Sequence, residues 1–116
     1  MTLKENLKVE KEIRERFNPS KEICGFVMFD NELIQIKNIS NSAIVHYVMD
    51  PVEQIHAMEK GPVKIIWHTH PNNAAIPSYI DKSNAKKNML YLIYSGLNDD
   101  FRLWFYDGDK FIEKEW

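Results

Sequence analysis

His68-Thr69-His70 places two imidazoles one residue apart in this 116-residue sequence. The pair directly follows Val63–Trp67 (VKIIW), a run that reads as a central strand. In an extended chain, residues i and i+2 point the same way, so both rings can converge on one point just beyond a strand end. Two ligands of one metal ion need that geometry. Asp81 follows His70 by eleven residues, after a loop and the first turn of an expected helix, from which a carboxylate can swing back. Two histidines and an aspartate make a three-ligand zinc site. Catalytic zinc keeps a fourth position open for water, whereas structural zinc is closed by four protein ligands. A single cysteine, Cys24, leaves no way to close a thiolate site within one chain. Water on such a metal needs a base, and Glu22 stands at the mouth of the apolar run Ile23–Phe29. Ser78, three residues before Asp81, offers a hydroxyl that could donate to a developing oxyanion.

Taken together, these residues carry a resemblance. Glu22, then His68-Thr69-His70-Pro71, then Pro77-Ser78-Tyr79-Ile80-Asp81 resembles the JAMM motif of the MPN (JAB) metalloprotease family. That motif is a glutamate followed far downstream by His-x-His, seven residues, Ser, two residues and Asp. Residues 71–77 and 79–80 supply both spacings, and Glu22-Ile23-Cys24-Gly25 is similar to the family's first strand. The resemblance runs from about Phe17 to Tyr94. It implies an α/β fold of the MPN type, a mixed sheet flanked by helices and related to that of cytidine deaminases. It implies one zinc ion on His68, His70 and Asp81, with Glu22 as general base and Ser78 supporting the tetrahedral intermediate. The implied activity is hydrolysis of a peptide or isopeptide bond. The implied protein substrates are a ubiquitin-like C-terminus or, from similarity to the N-terminal domain of phage tail-assembly proteins, a phage tail protein. The chain is near the length of the minimal core, so substrate-shaping insertions are not expected. A non-catalytic MPN scaffold, or a phage tail-assembly structural module, is the competing reading; such members generally lack motif residues that are all present here. A zinc nucleobase deaminase would carry His-x-Glu and Pro-Cys-x-x-Cys, and neither occurs.

Each residue also has an ordinary structural reading. Ser78-x-x-Asp81 is a helix-start pattern in its own right, and an Asp81 engaged with metal is not expected to reach the cap amide as well. Cys24 could be a nucleophile, but an apolar run makes it a buried, inert thiol. His46, placed in a strand, and His56, on a helix, read as surface or packing residues. Lys86-Lys87 reads as a solvated helix face, and Trp67 as core beneath the site. Trp104 and Trp116 fit either core or partner contacts.

Several elements have to position these groups. Leu3, Leu7, Ile13 and Phe17 share one helical arc, with Val9 at its edge, so the chain opens with an amphipathic helix that Asn18-Pro19 stops. Strands are expected over Ile23–Phe29, Leu33–Ile39 and Ala43–Met49. Asp50-Pro51-Val52-Glu53 is a strong helix start, and Gly61-Pro62 ends that helix. After the strand into His68 come a loop over Pro71–Pro77 and a helix from Ser78 to about Asn88. Strands Met89–Tyr94 and Phe101–Tyr106 follow, and Asp107-Gly108 turns into a last strand near Phe111. The order predicts a mixed sheet with helices on its faces, in a single domain spanning 1–116.

Composition narrows the class further. Fifteen basic and seventeen acidic residues leave a formal charge of −2, without the basic excess of a nucleic-acid binder. No apolar run is long enough to span a bilayer, and the charged N-terminus lacks a signal-peptide core. One cysteine argues against a disulfide-stapled secreted scaffold. The expectation is a cytoplasmic protein acting on protein or peptide, with no nucleic-acid or membrane partner.

Overall fold

The computed structural model describes residues 1–116. Helix α1 spans Leu3–Arg16, strands β1 and β2 span Cys24–Met28 and Leu33–Ile36, and helix α2 spans Pro51–Met58. Strand β3 is Val63–His70, helix α3 is Tyr79–Asn84, and strands β4, β5 and β6 are Met89–Ser95, Asp100–Tyr106 and Phe111–Lys114. The six strands form one sheet in the order β2-β1-β3-β4-β5-β6. Only β3 and β4 pair in parallel; every other neighbouring pair is antiparallel. The mixed sheet with helices on both faces is therefore present.

Strand alternation sorts the core into two layers. On one face, Val27, Ile65, Trp67, Leu92 and Leu103 pack with Val9 and Ile13 of α1. On the other, Cys24, Phe26, Met28, Ile36, Ile66 and Tyr91 pack with Ala57 of α2. His68 and His70 share the parity of Ile66, so β3 delivers both to the second face, away from α1. Gly25 is required where β1 lies between its neighbours, because a Cβ there would sit 1.9 Å from the Ile34 carbonyl oxygen.

Several expectations about elements are corrected. In α1 the buried face is Asn6, Val9 and Ile13, whereas Leu3 and Leu7 are 75% and 53% exposed. The sheet accepts only a narrow stripe of the helix, and residues spaced three and four apart supply it. Ala43–Met49 is not a strand; it turns, and only Met49 forms a bridge, with Asn38. β2 stops at Ile36 rather than Ile39. Strand β3 continues through His70, because β4 pairs with it as far as His70–Ser95. Helix α3 ends at Asn84, with Ala85 extended and Asn88 at positive φ, so Lys86-Lys87 lies beyond the helix.

Candidate metal centre

β3 and α3 supply the centre. Antiparallel pairing of β1 with β3 sets Cys24 opposite His68, so Glu22, two residues earlier, reaches the end of the sheet where His70 stands. Thr69, between the histidines, locks this junction: its Oγ1 accepts from the Ile23 amide at 3.0 Å, and its own amide donates to the Ile23 carbonyl at 3.0 Å. The sequence carries no signal for this role, because there Thr69 is only the middle residue of His-x-His.

The Nε2 atoms of His68 and His70 lie 3.1 Å apart. Asp81 Oδ2 lies 3.2 Å from His68 Nε2 and 3.0 Å from His70 Nε2. Glu22 completes the cluster, with one ligand atom from each of the four residues within 4.8 Å of the others. Zinc–ligand bonds of about 2.0–2.1 Å in a tetrahedron put ligand atoms about 3.3 Å apart, close to this spacing. The same Oδ2 accepts the Ser78 amide at 2.9 Å, and the Asp81 amide donates to Ser78 Oγ at 3.0 Å. One oxygen of Asp81 thus reaches both the cap amide and the two histidines, so facing the histidines does not cost the cap bond.

The surroundings orient the rings. His70 Nδ1 lies 2.8 Å from the Ala74 carbonyl, which can only accept; Nδ1 therefore carries the proton in the neutral ring, and Nε2 keeps its lone pair for the cluster. Ala74 belongs to the loop after β3. Trp104 Nε1 donates to the Ala75 carbonyl at 3.0 Å and Ser95 Oγ to the Asn73 carbonyl at 2.7 Å, which hold that loop in place. The Tyr47 ring lies on His68, centroids 4.6 Å apart. Trp67 is fully buried on the opposite face, its Nε1 donating to the Phe26 carbonyl, and so packs beneath the site.

Electrostatics favour a cation at this point. Burial pushes the Glu22 carboxyl up to about 8, which nearby His70 only partly offsets. Glu22 is 2% exposed, and its Oε1 has no hydrogen-bond partner. Burial pushes His68 below the ordinary imidazole range. For His70 burial acts in the same sense, but hydrogen bonds to Asp81 and Ala74 prevail and its pKa rises. Asp81 is held well below the usual carboxylate range: burial opposes ionisation, and the charge and hydrogen bonds of His68, with bonds from His70 and the Ser78 amide, outweigh it. With its proton on Nδ1, neutral His70 turns the Nε2 lone pair on an Asp81 oxygen 3.0 Å away with no hydrogen between them. A metal ion resolves that conflict, so the residues fit one.

Of the other sequence candidates, Cys24 is fully buried, with a thiol that burial raises to about 12, and its Sγ contacts the Ile36 carbonyl. His46 stands in the turn segment rather than a strand, bonded to Ser40 Oγ and Asn84 Nδ2. His56 lies in the last turn of α2, outside the cluster. Trp116 Nε1 donates to Glu10, tying the C-terminal residue to α1.

A mixed sheet carrying a His-His-Asp cluster with a buried glutamate defines an MPN/JAB-like protein with a JAMM-type candidate metal site. The family model for prokaryotic homologs of the JAB domain matches residues 9–106, and the chain belongs to this family. It is similar to the solution structure of protein DSY2949 from Desulfitobacterium hafniense, with 26% identity and a TM-score of 0.74. That match covers 98% of this chain and 88% of the other. A search of the curated proteins found no match.

Proposed function

We propose that this protein is a zinc-dependent metallopeptidase that hydrolyses a peptide or isopeptide bond. The observation that carries the reading is the convergence of His68, His70 and Asp81 beside a buried glutamate with an unpartnered oxygen. His68, His70 and Asp81 would hold one zinc ion per chain. Zinc so held supplies Lewis acidity toward a carbonyl and lowers the pKa of bound water.

The chain's own groups do the rest. Glu22 accepts a proton at its free Oε1 and returns it to the leaving amine; its burial keeps the proton off bulk water in between. Ser78 Oγ already accepts the Asp81 amide, so its own hydrogen is free to donate to an oxygen that gains negative charge. A depression of about 300 Å³ lined by Glu22, Val45, His70, Ile76 and Ser78 gives a substrate access to these groups. No helix is long and apolar enough to cross a membrane.

The test is cleavage of C-terminally extended ubiquitin-like proteins and of phage tail proteins by zinc-loaded protein, with and without chelator. Chelator-sensitive turnover that Glu22→Gln abolishes while zinc stays bound supports the reading. Stoichiometric zinc without cleavage of either class supports a non-catalytic scaffold instead. Failure to bind zinc at micromolar concentration refutes both the metal and the activity.

A further inference from the structure

Glu22 lies two residues before β1, outside the ladder that holds the rest of that strand. Its backbone is gripped by the 38–49 segment instead. The Glu22 amide donates to the Ala43 carbonyl at 2.6 Å, and the Glu22 carbonyl accepts from Asn38 Nδ2 at 2.9 Å. Asn38 uses its whole side chain in this way. Nδ2 also donates to the His46 carbonyl at 3.1 Å, while Oδ1 accepts the amides of Ser40 and Val48, each at 3.0 Å. A primary carboxamide has two donor hydrogens and two acceptor lone pairs, and all four are engaged here. The Asn38–Met49 bridge and the Ile39 amide on the Val48 carbonyl close the segment at its base.

We infer that Asn38 is the positioning residue for Glu22, setting the buried carboxyl against the metal cluster through the 38–49 segment. The inference rests on the proposed role of Glu22. One side chain joins the backbone of the base to the segment that carries Tyr47, whose ring lies on His68, and Val45, which lines the access depression. The metal-facing residues have backbone supports of their own. His68 and His70 are fixed by β3 and Asp81 by the start of α3, and none of them bonds to Asn38. Asn38 thus grips the base's backbone without bonding to any metal-facing side chain, while the Thr69–Ile23 bonds join Glu22's neighbour to β3 independently of it, which makes the role measurable.

Two variants of the full chain test this. Asn38→Ala removes all four bonds. Asn38→Asp is nearly isosteric and keeps both acceptor functions, but sets a carboxylate against the Glu22 and His46 carbonyls. In both, amide hydrogen exchange at Glu22 should quicken about tenfold or more, whereas Val48 should lose protection mainly in Asn38→Ala. Zinc affinity, by competition with a chromophoric chelator, should stay within about threefold, because the ligand atoms keep their supports. Turnover of an extended ubiquitin-like protein should fall in kcat by about 10- to 100-fold at nearly constant KM, the signature of a misplaced base. Unchanged Glu22 exchange in Asn38→Asp overturns the inference. So does zinc affinity that falls together with kcat, and so does failure of both variants to fold, since each makes Asn38 a support of the whole site. A wild type that cleaves nothing refutes the proposed activity, and the exchange and zinc measurements then decide the positioning role alone.

Discussion

Replacing Glu22 by glutamine should change how the stability of the zinc-free protein depends on pH. The Glu22 carboxyl titrates near 8 in the folded chain, against an ordinary value of 4.5, because burial penalises its charge. A folded-state pKa raised in this way contributes stability that is full below about 4.5 and is lost as pH rises toward 8. Between these limits the loss is about 1.4 kcal/mol per pH unit, so from pH 5 to pH 7 it amounts to about 2–3 kcal/mol. The Glu22→Gln side chain cannot ionise and escapes this loss, while His68, His70 and Asp81 titrate in both proteins. Urea unfolding of chelator-treated protein at pH 5, 6 and 7 should therefore show the variant gaining about 2–3 kcal/mol on the wild type across the range. The gain should shrink with zinc present, since a nearby cation favours the carboxylate. Two stability profiles that run parallel from pH 5 to pH 7 would refute the buried, proton-holding Glu22.

The remaining predictions concern the ligands, the helix start and the core. Zinc affinity should fall as pH drops through a range starting above the ordinary imidazole value, because protons compete for His70, whose pKa its Asp81 and Ala74 contacts raise against burial; chelator competition at stepped pH values measures this. Ser78→Ala should lower stability by about 0.5–2 kcal/mol through loss of the α3 cap and slow turnover by about 100- to 1000-fold, whereas Ser78→Thr should keep much of both; thermal unfolding and steady-state assays separate the two effects. Ile13→Ala should cost about 2–5 kcal/mol and Leu7→Ala only about 0.5 kcal/mol, which denaturant unfolding distinguishes.

Legibility in the sequence followed the range of the interactions. The strands that enter the core are visible in apolar runs such as Ile23–Phe29 and Val63–Trp67, because burial on both faces demands them. The helix start at Asp50-Pro51 is visible too, since Asp50 caps the amides of Val52 and Glu53 through local bonds. Ala43–Met49 reads as a strand from Ile44, Val45 and Val48, yet Asn38 and the Asn38–Met49 bridge bend it over the site. That outcome depends on a side chain several residues away and on a partner strand that is not there. Leu3 and Leu7 are likewise correct as helical apolar residues and incorrect as core, because the sheet chooses the stripe it accepts.

Spacing and residue type named the candidates for the site, and the resemblance to the family motif joined them. His-x-His in an extended chain sends both rings to one face, and Ser-x-x-Asp is a local helix-start pattern. What only the tertiary structure decided is the closeness of these groups and their electrical state. Pairing of β1 with β3 brings Glu22 to histidines 46 and 48 residues away, and burial then moves its carboxyl to about 8. A single oxygen of Asp81 both caps α3 and faces the two Nε2 atoms. Distances and desolvation are properties of packing, so no local pattern in the chain could have stated them.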